Sequence, residues 1–102
     1  MNVITIGGVT YTQAEAIEIL KTPPRRDATY ILAHQLIGAK LNILSGADGS
    51  VVANTIVAAD SWLVDNPLGS NPDNPERQVG IALARTLDQY NNGIIGPGHC
   101  DE

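Results

Sequence analysis

His34, Asp60, His99 and Cys100 are the side chains that catalysis would most readily use in this chain. Their spacing argues against each use. His99, Cys100, Asp101 and Glu102 can all ligate a metal, but four consecutive residues on a tail cannot close a tetrahedral cage without ligands from elsewhere. His34 would join them only if that tail folded back. A cysteine nucleophile needs a base held in place by a third group, which the adjacency of His99 and Cys100 does not provide. The acidic stretch at 65–76 has the length of an EF-hand calcium loop, yet Pro67 and Gly69 stand where ligands belong and Ser70 stands where the obligatory glycine belongs. It reads as a solvated connector.

Asp60 falls between the two apolar stripes of its helical segment, where a bare carboxylate is costly to bury, so it must be paired, hydrogen-bonded or near an edge. The expected partners are Lys40 and amide groups of the N-terminal hairpin or the tail, which makes Asp60 and Lys40 a buried structural polar pair. Trp62 shares a narrow secondary stripe with Val51, Thr55 and Ala58, apart from the main apolar face. This stripe predicts a surface for contact with another protein or domain, unless the hairpin or the tail covers it. Cys100 sits in a glycine-rich tail, Asn91-Asn92-Gly93-Ile94-Ile95-Gly96-Pro97-Gly98-His99-Cys100, and no second cysteine exists in the chain. A native disulfide must therefore reach a residue outside these boundaries, as a tether would.

The 102 residues fit one domain with a modest core and leave no room for a large cleft between two. An apolar fraction of 43% with only 17% charged residues excludes a disordered chain. Phe is absent, so Ala, Ile, Leu and Val must fill the core. A net charge of −5 with six Lys and Arg argues against binding a polyanion, so nucleic acid is not an expected partner. No apolar run approaches the roughly 18 to 20 residues that span a bilayer, and the N-terminus lacks the basic and apolar regions of a signal peptide. No membrane insertion is expected. One thiol fits a reducing compartment as well as half of an external disulfide, so the cysteine alone leaves the setting open.

The elements that position these residues are mostly helical. Val3 to Tyr11 has two β-branched stretches around Gly7-Gly8, a pair that accepts the positive φ of a tight hairpin turn. Thr12-Gln13-Ala14-Glu15 matches a capping box, followed by an amphipathic segment with Ala16, Ile17, Ile19 and Leu20 on one face, ending before Pro23-Pro24. Asp27 caps a second helix to about Ser45, closed by Gly46, whose two apolar sides place it in the middle. Its remaining face carries His34, Gln35, Gly38, Asn42 and Ser45, which meets solvent or lines a hydrogen-bonded seam. A third helix runs from about Val51 to Val64 with Val52, Ile56, Ala59 and Leu63 as main stripe and Ala53, Val57 and Val64 beside it. After the proline-rich loop, Asn74 caps a fourth helix that begins at Pro75, presents Val79, Leu83, Leu87 and Tyr90 inward, and stops at Gly93.

Several stretches together resemble a small module appended to secreted or surface proteins of bacteria. They are Ile6-Gly7-Gly8-Val9-Thr10-Tyr11-Thr12, Thr22-Pro23-Pro24, Leu32-Ala33-His34-Gln35-Leu36-Ile37-Gly38-Ala39-Lys40-Leu41-Asn42, Gly46-Ala47, Ala59-Asp60 and Leu87-Asp88-Gln89-Tyr90-Asn91-Asn92-Gly93. The similarity covers nearly the whole chain. In that family the module usually follows a segment reading approximately Gly-Tyr-Trp-Lys-Asn-His-Pro, often after a cysteine, and this chain lacks the segment. The resemblance implies an extracellular setting and a partner for Cys100; it lends no catalytic residues. The stretch at 65–76 varies in length in the family, so any binding specificity could reside there.

The sequence thus predicts one all-α domain over 1–102, trimmed from a longer protein: an N-terminal β-hairpin at 1–11, four helices within 12–93 and a glycine-rich tail at 94–102. The expected role is a non-catalytic structural or protein-interaction module without cofactor, secreted or at the cell surface, and cytoplasmic if expressed as the isolated chain. Its expected partners are other domains of the parent or another protein, with a weak homodimer as a further expectation. The rivals are a small-ligand module using the polar strip of the second helix, a metal-binding module, and a hydrolase or metal-dependent enzyme using His34, Asp60, His99 or Cys100.

Overall fold

The computed structural model describes residues 3–93. The tail at 94–102, with His99 and Cys100, lies outside them. The described residues run β1 (Val3–Ile6), β2 (Val9–Thr12), α1 (Gln13–Lys21), α2 (Ala28–Leu44), a single 3-10 turn at Ser50–Val52, α3 (Ala53–Asp65) and α4 (Glu76–Asn91). The fold is all-α with a small N-terminal hairpin, as the sequence predicts.

The hairpin, the start of α1 and both ends of α2 have local causes. Gly7 and Gly8 take φ of 57° and 77° at the two turn positions, which sets the antiparallel register Ile6 to Val9, Thr5 to Thr10 and Ile4 to Tyr11. The capping box at the start of α1 is complete: the Thr12 hydroxyl accepts from the Glu15 amide at 3.2 Å, and Glu15 accepts from the Thr12 amide at 2.8 Å. Asp27 caps α2 through the Thr29 amide. At the other end the Gly46 amide donates to the Ile43 carbonyl and the Ala47 amide to the Asn42 carbonyl, the paired bonds of a Schellman ending.

α2 contacts α1, α3, α4 and β1, with its most extensive packing along α4. Its two apolar sides explain that position. Leu32, Leu36 and Ile37 have no exposed surface, and each such side chain contributes roughly 1.5–3 kcal/mol by leaving water. Ile4 and Ile6 of the hairpin and Ala16 and Ile19 of α1 complete the core on one side, while Val52, Ala59, Leu63, Ala84, Leu87 and Tyr90 complete it on the other.

Several inward assignments made from periodicity are corrected. Ile17 and Leu20 of α1 are exposed, because only Ala16 and Ile19 face α2. Val57 and Val64 also face outward, leaving Val52, Ala59, Trp62 and Leu63 to carry the buried side of the third helical segment. That segment opens as the 3-10 turn, with the Ser50 amide donating to the Asp48 carboxylate, so α3 proper starts at Ala53. α4 starts at Glu76 with Pro75 as its cap residue, and Asn74 is not the cap. Val79 is 50% exposed; Gly80 is buried in its place.

The cause of the shift in α4 is Trp62. Its indole lies on the backbone of α4 at Gly80, where a methyl group on the α-carbon would sit 2.6 Å from Cζ2 and 2.7 Å from Cη2. The indole Nε1–H donates to the Glu76 carbonyl at 3.0 Å, which satisfies the buried indole donor and ties the ring to the first turn of α4. Tyr90, at the far end of α4, is buried and donates its hydroxyl to the Asp48 carbonyl at 3.0 Å. Burial, and then the charge of Asp48, hold the Tyr90 pKa above the ordinary tyrosine value.

The Trp62 contact can be tested by substitution. An exposed helical Gly80→Ala would gain up to about 1 kcal/mol from helix propensity. Here the rigid ring cannot give way, so overpacking by about 1–3 kcal/mol should decide the sign and lower the denaturant midpoint. Trp62→Ala should cost about 3–5 kcal/mol, and Gly80→Ala placed in that background should be neutral or stabilising. A Gly80→Ala effect independent of Trp62 would contradict the contact.

The tyrosines give a second test. Tyr90, and also Tyr11 through its own burial followed by the neighbouring Tyr30 and Glu15, are held neutral more firmly in the folded than in the unfolded chain. Their contribution is fully present below the unfolded value of about 10 and is lost as pH rises past it. Chemical denaturation followed into alkali should therefore show falling stability, and Tyr11→Phe with Tyr90→Phe should flatten that fall.

Candidate functional site

Asp60 on α3 meets Lys40 on α2 beneath the hairpin. The Lys40 Nζ lies 2.9 Å from Asp60 Oδ2 and also donates to the Thr5 carbonyl of β1. The second carboxylate oxygen, Oδ1, accepts from the Gly7 amide at 2.9 Å. Side-chain exposures of 22% for Lys40 and 32% for Asp60 put the pair at a half-buried edge and not in the interior. Lys40 and Asp60 thus bind two elements and the hairpin turn through three contacts. Gly7 permits the approach, since a methyl group there would stand 2.6 Å from Leu63 Cβ. The sequence points to Lys40 and to amides of the hairpin or the tail as partners; it does not single out Gly7.

His34 is held elsewhere. Its Nε2 lies 2.8 Å from the Ile19 carbonyl of α1, and since a carbonyl only accepts, Nε2 carries the proton. Only Nδ1 is left for proton transfer or metal ligation. His34 and Lys40 are six residues apart on α2, about 240° around a helix axis, so His34 points away from the Asp60 side. Among the described residues no group of three His, Cys, Asp or Glu side chains gathers as for a metal ion. The expectations for His99, and for Cys100 as half of an external disulfide, fall outside the described residues.

The polar strip of α2 is a hydrogen-bonded seam with α4, formed through Asn91, which periodicity and composition do not single out. Asn91 Nδ2 donates to the Gln35 carbonyl at 3.0 Å and to Gln35 Oε1 at 2.9 Å, while its Oδ1 accepts from Asn42 Nδ2 at 3.0 Å. Gly38 makes room: a methyl group there would lie 3.1 Å from Asn91 Nδ2. The signal in the sequence is the run of small and amide residues facing one way on α2 without a named counterpart.

The Trp62 surface patch is overturned. Trp62 is 8% exposed and points between α3 and α4. Val51 and Ala58 are exposed and Thr55 is half-buried, so these residues share no common patch with the indole. Among the described residues, what covers Trp62 is the first turns of α4.

Among the hollows on the surface of the described residues, two border the hairpin and the α1–α2 connection. One, of about 260 Å³, lies between the hairpin and the end of α3, lined by Ile6, Gly7, Val9, Tyr11, Leu63, Val64, Pro67 and Leu68. The other, a broad groove of about 810 Å³, runs between the α1–α2 connection at 22–27, Tyr30, and the loop residues Gly69 and Asn71. Its two walls are joined by Thr29, which is completely buried: its hydroxyl donates to Asp27 Oδ1 at 2.6 Å and accepts from the Gly69 amide at 2.9 Å. The loop after α3 is also held at its start, where Asn66 Nδ2 donates to the Trp62 carbonyl. Thr29 gives no signal in the sequence beyond following a capping Asp.

A double-mutant cycle tests the Lys40–Asp60 edge. Lys40→Met and Asp60→Asn, measured singly and together by urea unfolding, should show a coupling of roughly 0.5–1 kcal/mol at low salt, shrinking as salt is added. Asp60→Ala should cost more, about 1–3 kcal/mol, because the Gly7 amide and the Lys40 ammonium lose their acceptor together. An unchanged midpoint in Asp60→Ala would exclude the anchoring role.

Compared with protein-family models, with curated proteins and with solved structures, the chain finds no match in any of the three. The resemblance to an appended bacterial module accordingly stands on the residues quoted for it alone.

Proposed function

We propose that this chain is a non-catalytic structural or protein-interaction module. The observation that carries the reading is how its chemically capable residues are used: His34 is tied to a backbone carbonyl of α1, and Asp60 to Lys40 and a hairpin amide, on different sides of α2. Each joins one element to another. In a catalytic site such groups converge on a space for a reacting atom and are partly unsatisfied before substrate arrives. With the resemblance added, the proposed setting is a secreted or surface protein of bacteria, and the proposed partners are its other domains or a further protein. In that setting Cys100 would tether the module through a disulfide to a residue outside the chain.

Stability measurements distinguish the roles. Residues retained for catalysis commonly cost stability, so that replacing them is neutral or stabilising. Residues retained as struts behave the other way. His34→Ala should lower the unfolding free energy by about 0.5–1.5 kcal/mol through the lost bond between α1 and α2, alongside the loss expected for Asp60→Ala. A raised thermal midpoint in both variants would reverse the assignment and favour the enzyme reading.

A further inference from the structure

We propose that the groove between the α1–α2 connection and the loop residues Gly69 and Asn71 docks a short acidic segment of a partner polypeptide. The inference rests on the interaction-module reading and gives it a surface and a partner chemistry. The first observation is charge segregation. The chain carries −5 overall and has six cationic side chains, yet three of them, Lys21, Arg25 and Arg26, fall in one six-residue stretch. Of the other three, Lys40 is paired with Asp60, while Arg77 and Arg85 lie apart on α4. Among the described residues no salt bridge engages Arg25 or Arg26. Asp27 is the acidic residue in the groove wall, and its Oδ1 is occupied in capping α2.

Geometry is the second observation. The Asp27 amide donates to the Pro24 carbonyl at 2.9 Å, closing a tight turn with Arg25 and Arg26 at its centre. Arg25 takes a φ of 57° there, a left-handed conformation that glycine or asparagine fills more easily. Both arginines therefore stand at the rim of the groove, beside Pro23, Pro24 and the Tyr30 ring. The opposite wall is fixed by the Gly69 to Thr29 bond. An open channel with two planar guanidinium groups on one wall and an aromatic ring beside them suits an extended peptide whose carboxylates take paired hydrogen bonds. It does not suit a long polyanion, which the negative charge elsewhere on the surface would repel.

The experiment is a titration of the isotope-labelled full chain, followed by amide chemical shifts. The probe is a short disordered peptide rich in Asp and Glu, with its Asn and Gln counterpart and inorganic phosphate as separate arms. Saturable shifts confined to 22–30 and 69–71, absent with the amide peptide and reduced by salt, are the expected result. Arg25→Gly combined with Arg26→Gln should weaken binding by about fivefold or more, the scale of two exposed charge pairs. Glycine accepts the φ of residue 25, so this variant keeps the fold. Arg77→Gln with Arg85→Gln should leave binding unchanged. No saturable shift, shifts centred on α4, or equal shifts with phosphate alone would overturn the docking proposal. The stability of His34→Ala and Asp60→Ala does not depend on this titration, so a failed groove leaves the module reading to its own test.

Discussion

The seating of the Trp62 indole on Gly80 is the constraint from which the arrangement of the second half of the chain follows. The one tryptophan of a chain without Phe has to find a recess, and the missing side chain at Gly80 provides one. Once the ring is there, α3 is seated against α4, and the Nε1–H bond to the Glu76 carbonyl ties the indole to the first turn of α4. That in turn aligns Ala84, Leu87 and Tyr90 with the buried side of α2 and brings Asn91 opposite Gly38. The recess costs helix propensity, by up to about 1 kcal/mol, and returns more through burial of the ring.

The same logic of removed side chains recurs on the hairpin side. Gly7 lets the turn lie against Leu63, and only at that separation can its amide reach Asp60. The Lys40–Asp60 pair is weak as an isolated ion pair at a half-exposed edge. It matters because both partners also hold backbone groups of the hairpin, which by itself is too small to be stable in water. Ile4 and Ile6 supply the apolar part of the attachment and the polar edge sets its position.

Much of the local structure was legible. Gly7-Gly8, the Thr12 and Glu15 box, Asp27 and Gly46 each act within a few residues of their own position, and the backbone at those positions depends on little else. The central place of α2 was legible because apolar residues on two sides leave no other choice. What failed was the choice of face on the flanking helices. Val57, Val64 and Val79 have the hydrophobicity expected of core, and Gly80 has none, yet Gly80 is inside and Val79 outside. Periodicity scores what a residue would gain by burial; it says nothing about the room a neighbouring helix needs. The polar pair was half legible, since the cost of an unpaired carboxylate points to Lys40, while the Asn91 seam and the Thr29 bridge depend on contacts across 40 to 56 positions of sequence.

Thr29 carries a consequence for tolerance to change. Its hydroxyl is the one link described between the start of α2 and the loop that follows α3, and it is both donor and acceptor there. Serine could make the same two bonds; valine, of the same shape, could make neither. The spacing of the groove walls therefore depends on a hydroxyl beside the packing of Leu68, and a lineage that lengthened the loop beyond Gly69 could alter what the groove admits without disturbing a single core residue.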